Sequence, residues 1–277
     1  MIKNVFTIFI LLFFMNQAWC QQVKLMTYNI RFDDAKDSIN GWNQRKRDVL
    51  KIMKDSEAGI IGVQEALKHQ ILELNENLID FEYIGVGRDD GIDHGEFSAI
   101  LYNTNNYQVI KSETFWLSDT PDKPSYGWDA AFKRICTAAL MKDVENDTEF
   151  WVFNTHFDHM GFYARRKSAE LVVKKINQLN PDQAPAILMG DFNVTPFEKP
   201  YKIITSSLQD SRLNANEIKG VNIGTYNGFK NEFEHNRIDF IFTNKLNILF
   251  YAQINDKMRN GNYPSDHFPV IIELEIN

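Results

Sequence analysis

The distribution of hydrophobic residues predicts a protein built mainly from β-strands. Short apolar runs, many of them alternating with polar residues, recur along the chain and are separated by turn-forming residues. Several runs occur in pairs that resemble hairpins. The predicted strands cover residues 23–30, 58–65, 81–87, 96–103, 107–117, 133–144, 149–158, 185–193, 237–244, 246–254 and 267–276.

Fewer segments show the helical period. Amphipathic helices are predicted for residues 43–55, 69–78 and 163–179, and we expect a further helix after Pro196. Strands therefore outnumber helices, and the helices fall mainly after strands that end in polar residues. This order favours an α/β fold with mixed sheets covered by helices over a regularly alternating parallel fold.

Length and composition place the chain among ordinary globular proteins. It has 277 residues, of which 44% are hydrophobic and 24% are charged, so a large core is possible. The sequence contains no repeat of 20–50 residues, no low-complexity tract and no long linker. We therefore expect one domain, residues 21–277.

The first twenty residues differ from the rest and resemble a secretory signal peptide. Lys3 precedes an apolar run from 5 to 15, and Ala18 and Cys20 are small residues at the expected cleavage site. The run is too short to span a membrane, and no transmembrane segment is predicted elsewhere. We expect a secreted or periplasmic protein. Cleavage before Cys20 with lipid attachment is the alternative, which the bulky Trp19 disfavours.

The net charge limits the kind of partner. The formal charge is −7, and removal of residues 1–20 with Lys3 makes it −7 − 1 = −8. Such a chain is poorly suited to non-specific binding of duplex DNA, which depends on Lys and Arg neutralising phosphates. A phosphorylated small molecule or a short nucleic acid, held by a few arginines and a metal, remains compatible.

Polar residues at the ends of predicted strands are the strongest functional signal. Any one of them has a structural explanation, because Asn and Asp are favoured in turns. Their recurrence at six positions is harder to explain by turns and favours a shared site. The residues are Asn29, Glu65, Asn154 with His156, Asp191 with Asn193, Asp239, and Asp266 with His267.

These side chains suit one kind of chemistry. Asn and carboxylate oxygens are hard ligands that favour Mg²⁺ or Mn²⁺ over soft metals. A histidine beside a carboxylate is the usual arrangement for a general base or an oriented proton carrier. Together they indicate metal-assisted hydrolysis of a phosphoester.

An ordered set of motifs strengthens this interpretation. The segments "TYNIR", "VQE", "NTHFDH", "GDFN", "IDFIF" and "SDHFPV", in this order, resemble the endonuclease/exonuclease/phosphatase family over about Lys24 to Glu275. Other segments, such as "GVGRDDG", look like a secreted bacterial subgroup of that family. The resemblance implies a four-layer sandwich in which two mixed β-sheets pack face to face and are flanked by helices.

The resemblance also implies roles for individual residues. Glu65 and Asn29 would hold the divalent cation, with Asp266 close to it. His267, oriented by Asp239, would activate the attacking water. In the alternative, Asp191 would position that water. The residues that would contact the phosphate are Asn193, His156 and Arg134. Which residue acts as the general base is left open.

Five further residues are candidates for contacts with the substrate. Asn154 lies in the same strand end as His156, and Arg165 follows closely enough to reach a second phosphate. Trp128 lies on the long loop 118–132, where its ring can stack on a base or a sugar or simply pin the loop. Arg88 and His159 are weaker candidates near the same mouth.

We therefore expect an exported, Mg²⁺- or Mn²⁺-dependent phosphodiesterase of the nuclease or exonuclease type, acting as a monomer. A phosphomonoesterase acting on a small sugar or inositol phosphate is nearly as well supported by the charge. The alternative from another functional class is a binding domain without catalytic activity. The intact set of polar residues argues against it. A lipid phosphodiesterase is disfavoured because the sequence shows no convincing apolar hairpin.

Overall fold

The computed structural model describes residues 21–220, 224–232, 236–244 and 246–276. The predicted signal peptide, residues 1–20 with Cys20, lies outside these residues. Within the described ranges, no helix is both long enough and apolar enough to cross a bilayer.

The predicted strands and helices are found close to their predicted positions. The strands are β1 Gln21–Asn29, β2 Ile60–Ala66, β3 Phe81–Ile84, β4 Phe97–Asn103, β5 Tyr107–Trp116, β6 Ile135–Asp143, β7 Glu149–His156, β8 Ala186–Asp191, β9 Gln209–Asp210, β10 Ala215–Gly220, β11 Asp239–Thr243, β12 Asn247–Gln253 and β13 Val270–Ile276. The helices are α1 Trp42–Asp55, α2 Lys68–Asn77, α3 Phe162–Leu179, α4 Lys199–Thr205 and α5 Ser211–Asn214, with a 3₁₀ helix at Ala35–Asn40.

The strands form two mixed sheets. The seven-stranded sheet has the order β10-β12-β13-β1-β2-β4-β3, and the six-stranded sheet has the order β5-β6-β7-β8-β11-β9. In the first sheet β1 is parallel to β2 and antiparallel to β13. In the second sheet β8 is parallel to β7 and antiparallel to β11. The two sheets therefore repeat the same local arrangement around their central strands.

Three hydrophobic clusters define the layers. The middle cluster lies between the sheets and takes one face of each, for example Leu25 and Ile272 from one sheet and Val152 from the other. The second packs α3 and α4 onto the outer face of the six-stranded sheet. The third packs α1 and α2 onto the other sheet, with Met26 pointing outward one residue after Leu25. The alternation of side chains along each strand thus supplies two cores, and the predicted four-layer sandwich is confirmed.

A buried amide group connects the two sheets. Asn154 of β7 is fully buried, and its Nδ2 donates to the carbonyl oxygens of Val63 at 2.9 Å and Ala99 at 2.8 Å across the interface. Its Oδ1 accepts from Nε2 of Gln64 at 2.6 Å. Gly62 makes room for this contact, since a Cβ there would lie 2.9 Å from Cγ of Asn154. The described polar contacts of Asn154 hold the sheets together, so they do not support the predicted role in substrate binding.

Two segments differ from the sequence prediction. β3 ends at Ile84 instead of continuing to residue 87, because the backbone turns there and Gly87 N–H donates to the carbonyl of Ile92. The segment 206–220, for which no element was predicted, forms β9, α5 and β10. Its exposed, polar β10 lies at a sheet edge and therefore lacks the alternating apolar pattern of a buried strand.

Replacement of Asn154 by Ala should destabilise the fold. The change removes the side-chain donor to two buried carbonyls and one of the three acceptors of the Gln64 amide, which costs about 3 kcal/mol of unfolding free energy. Urea denaturation measures this loss. As a control, Asn105→Ala in an exposed turn should change stability by less than about 0.5 kcal/mol. Equal effects of the two substitutions would show that Asn154 does not tie the sheets together.

Candidate active site

The site lies where the ends of strands from both sheets meet. Asn29 and Glu65 lie at the carboxyl ends of the parallel strands β1 and β2, and His156 lies beside Asp191 at the ends of β7 and β8. Because β11 is antiparallel to β8, its first residue, Asp239, pairs with Asp191. For the same reason the loop before β13, with His267, returns to the end of β1. The topology alone therefore gathers these side chains.

The amide group of Asn29 lies at the centre of the cluster. Its Nδ2 is 3.0 Å from Oε1 of Glu65, 3.0 Å from Oδ2 of Asp191 and 3.5 Å from Nε2 of His267. Its Oδ1 accepts the backbone N–H of Arg31 at 3.0 Å. In this arrangement Asn29 presents a donor to the two carboxylates. It therefore orients Glu65 and Asp191, and its part in holding a metal stays a prediction.

His267 is held between two carboxylates. Its Nδ1 lies 2.9 Å from Oδ2 of Asp239, and its Nε2 lies 3.7 Å from Oδ2 of Asp191. Burial acts to lower the pKa of the His267 imidazole, but the charges of Asp239 and Asp191 outweigh it and raise this pKa well above its usual value. Tyr226 packs edge-on against the ring at 5.1 Å between centroids. The geometry therefore fixes a charged imidazole in one orientation.

Asp191 connects this pair to the second histidine. Its Oδ2 lies 3.4 Å from Nε2 of His156, and burial together with the charge of Asp239 raises the pKa of Asp191 to about 7. Burial and the nearby guanidinium of Arg134 lower the pKa of His156 well below its usual value, so the ring is neutral. Nη1 of Arg134 lies 3.0 Å from Nδ1 of His156, so the other ring nitrogen, Nε2, faces the cluster.

Three residues that border the site have positive φ angles. Glu65 has φ 64°, Asn193 has φ 50° and Arg31 has φ 58°. These values lie in the left-handed region, which is uncommon for residues other than glycine. The conformation of Asn193 brings its side-chain amide to 3.1 Å from Nε2 of His156 and lets its backbone N–H donate to Asp191 at 2.9 Å.

Glu65 is kept ionised by its surroundings. Burial favours the neutral carboxyl, yet the hydrogen bond from Asn29, the charges of His267 and Arg31 and the backbone N–H of Phe32 together lower its pKa. The N–H of Phe32 lies 3.3 Å from Oε2, and Nη1 of Arg31 lies 3.7 Å from the same oxygen. A charged carboxylate at this position is ready to bind a cation.

Asp266 is buried next to this group but has different contacts. The hydroxyl of Ser265 lies 3.4 Å from its Oδ1 and also donates to the carbonyl of Asn29 at 2.6 Å. Burial raises the pKa of Asp266 to about 6, and the charge of Glu65 adds to this effect. The buried Arg45 donates to the carbonyls of Ile30 and Pro264, so one side chain holds both loops that carry these residues.

The donor set fits a hard divalent cation. Glu65, His156 and Asp191 offer ligand atoms within 4.8 Å of one another, as do Asp191, Asp239 and His267. Oδ1 of Asp239 is buried and has no hydrogen-bond partner among the described residues. Carboxylate oxygens of this kind suit Mg²⁺ or Mn²⁺. Ion binding would also offset the repulsion among the buried carboxylates.

Comparison with known proteins places this geometry in a family. The model of the Endonuclease/Exonuclease/phosphatase family matches residues 26–267. The chain belongs to the endonuclease/exonuclease/phosphatase family. Members of this family hydrolyse phosphoester bonds and depend on divalent metal ions.

Two solved structures resemble the chain over most of its length. A mannosyl-6-phosphatase from Bacteroides thetaiotaomicron is 40% identical, with a TM-score of 0.88, and the match covers 91% of this chain and 99% of the other. A protein of the endonuclease/exonuclease/phosphatase family from the same organism is 39% identical, with a TM-score of 0.89 and coverage of 93% and 99%. A probable RNA exonuclease of Saccharomyces cerevisiae is 28% identical over 206 residues, which are 66% of this chain and 40% of that protein.

The predicted substrate residues of this family member lie at different distances from the cluster. Arg134 contacts His156 directly, whereas Arg165 donates from Nη1 to the carbonyl of Asp158 at 3.1 Å. The indole N–H of Trp128 donates to Asp119 at 3.1 Å, within its own loop. Among the described contacts, Trp128 has none with the strand-end cluster, and pinning of the loop explains its position.

Two aspartates fasten this loop to the start of α3. Asp158 accepts the N–H groups of Ala131 at 3.1 Å and Phe132 at 3.2 Å from the loop, and also that of Gly161 at 2.7 Å. Asp129 in turn accepts two N–H groups from the first turn of α3. Each segment therefore satisfies backbone donors of the other, which fixes the wall of the site next to Arg134.

Sequence reasoning missed Glu96 as a site residue. Its Oε2 lies 3.7 Å from Nη1 of Arg134 and 3.9 Å from Nδ1 of His156, and it also pairs with Arg88. Burial raises the pKa of Glu96 to about 7. Glu96 lies at the amino end of strand β4, whereas the predicted site residues lie at the carboxyl ends of strands. The glycine-bracketed segment "DGIDHGE" was the available signal, since it indicates a tight hairpin.

We expect Mg²⁺ to stabilise the protein more at pH 8 than at pH 5. The folded-state pKa values of Asp191 and Asp266 are raised to about 7 and about 6 from an ordinary value of 3.8. The metal-free folded state therefore retains protons that the unfolded chain releases, and it loses stability as the pH rises from about 4 to about 7. Protons also compete with the cation in this range.

Thermal unfolding with Mg²⁺ or with chelator, at the two pH values and constant ionic strength, measures the difference. The variant Asp191→Asn should lose most of the dependence on metal and should keep only the part of the pH dependence that Asp266 contributes. If Mg²⁺ raises the melting temperature by the same amount at both pH values, or still raises it in the variant, Asp191 is excluded from the cation site.

Proposed function

We propose that this protein is an exported phosphomonoesterase that uses Mg²⁺ or Mn²⁺ to hydrolyse a small sugar phosphate. The single observation that carries the hydrolytic assignment is the convergence of Asn29, Glu65, Asp191 and His267 at one set of strand ends. The 40% identity to a mannosyl-6-phosphatase supports a sugar phosphate as the substrate class. The formal charge of −7 is consistent with a small substrate.

The proposed roles follow from the contacts of each residue. Glu65 and Asp191 would hold the cation, with Asp266 near it, and a bound cation would supply a Lewis acid for the charge on the phosphoryl oxygens. His156 donates from Nε2 to the phosphoryl group, beside the amide of Asn193. Asp191 and His267 are the two groups that can exchange a proton with the attacking water.

The second candidate function is hydrolysis of a phosphodiester, as in an exonuclease. The 28% identity to a probable RNA exonuclease supports it, but this match covers only 66% of the chain. A silent binding domain is the third possibility, and it requires that no phosphoester is hydrolysed. An assay of the mature protein on a monoester and a diester with the same leaving group separates all three.

Glu65→Gln and His267→Gln should each lower kcat/KM by about a thousandfold. The first removes a charged ligand of the cation, and the second removes a fixed charge and a proton carrier; losses of roughly a hundredfold to ten-thousandfold are usual for such groups. The kcat/KM values are measured by steady-state hydrolysis with Mg²⁺, with Mn²⁺ and with chelator. His69→Gln is the control, because His69 is exposed and pairs only with Asp33 among the described contacts.

The control variant should retain full activity. Hydrolysis that survives the chelator, or that survives both site substitutions, would overturn the proposed mechanism. Absence of turnover by the wild type on both esters would favour the binding domain instead.

A further inference from the structure

Arg88 is a buried arginine beside the reaction centre for which the proposed mechanism gives no role. It is only 7% exposed and pairs through Nη1 with Glu96, the carboxylate that also faces Arg134. Both guanidinium groups lower the pKa of His156, after the larger effect of burial. Arg88 therefore contributes positive potential at the position proposed for the phosphoryl group.

The positive charge of this pair is only partly neutralised. Asp158 stays ionised. Burial acts to raise its pKa, but hydrogen bonds from backbone N–H groups and the charge of Arg134 lower it to about 2. Oδ2 of Asp158 lies 3.4 Å from Nε of Arg134. Glu96 is the remaining buried partner, and burial favours its neutral form. One carboxylate thus balances Arg134, while Arg88 shares a partner that is easily protonated.

The position of Arg88 is fixed by the surrounding structure. Its guanidinium lies over the ring of Phe132 at 4.9 Å, and its carbonyl accepts the indole N–H of Trp116 at 2.7 Å. The preceding Gly87 is needed for the hairpin, since a Cβ there would lie 2.3 Å from the carbonyl oxygen of His94. A charge held this firmly needs no reorganisation when a ligand arrives.

Arg88 also retains a free donor. It lines a crevice with Glu96, Arg134 and His156 that is too tight for a water molecule. Its Nε is buried and has no hydrogen-bond partner among the described residues. The crevice leaves no room for a second ester group on this side of His156.

We infer that Arg88 is a specificity-determining residue that makes the site prefer a terminal phosphomonoester to a phosphodiester. This inference rests on the proposed phosphoesterase function. A monoester carries close to two negative charges at neutral pH, whereas a diester carries one. The additional buried cation stabilises the second charge, and the tight crevice excludes the bulky second group that a diester carries.

Arg88→Gln tests this inference with two matched substrates. p-Nitrophenyl phosphate and bis(p-nitrophenyl) phosphate release the same leaving group, so a difference between them reports the charge and size of the phosphate ester. With Mg²⁺ present, the variant should lose about tenfold or more in kcat/KM on the monoester and less than about threefold on the diester. Arg88→Lys retains the charge and should recover part of the loss.

Arg166→Gln is the control, because Arg166 is exposed on α3 and pairs with Glu170. Arg166→Gln should leave kcat/KM unchanged on both substrates. Inhibition by inorganic phosphate provides a second readout, and its inhibition constant should rise in Arg88→Gln when both proteins are assayed well below the melting temperature of the variant. Equal losses on the two esters, or an unchanged inhibition constant, would overturn the role of Arg88 and leave the phosphoesterase function standing.

A different result would separate the two proposals. If the wild type hydrolyses neither ester, the proposed function fails, and phosphate binding measured by calorimetry then tests Arg88 alone. Weaker binding in Arg88→Gln than in the wild type would support an anion site. Equal binding would refute it.

Discussion

The fold brings several carboxylates together in a place where water cannot screen them. Isolated buried charges are costly, so each of these groups has a specific partner. Asn29 donates to Glu65 and Asp191, while His267 bridges Asp191 and Asp239. Burial and the nearby charge of Asp239 raise the pKa of Asp191, and the excess of negative charge favours a divalent cation. The central strands, their connecting loops and the chemistry all depend on this balance.

The two-sheet architecture explains why residues far apart in the chain can share this balance. Each sheet contributes two parallel strands, and an antiparallel neighbour returns a loop to the same edge. Close packing of the sheets then aligns the two edges, with Asn154 connecting backbone groups across the interface. The relative position of Glu65 and Asp191 is therefore set by the packing of two separate sheets, and a small shift between them would disperse the site.

Much of the fold was predictable from the sequence, because alternation and helical period report burial directly. The strand-end residues were also predictable as a set, since parallel strands place their carboxyl ends together. That reasoning could not distinguish Asn154 from a site residue, because Asn154 lies two residues before His156 on the same face but within the interface between the sheets. Glu96 and Arg88 were missed or undervalued for another reason: their proximity to Arg134 arises from tertiary pairing between distant segments, for which local pattern carries no information.

The positive φ angles at Glu65, Asn193 and Arg31 show how the site constrains the evolution of this chain. Each such residue costs of order 1–3 kcal/mol relative to a relaxed backbone. Glycine would relieve that strain but would remove the side chain on which the chemistry depends. Selection for stability and selection for turnover therefore act in opposite directions at the same three positions. Thermostable relatives would have to gain their stability elsewhere, in the cores and on the outer helices.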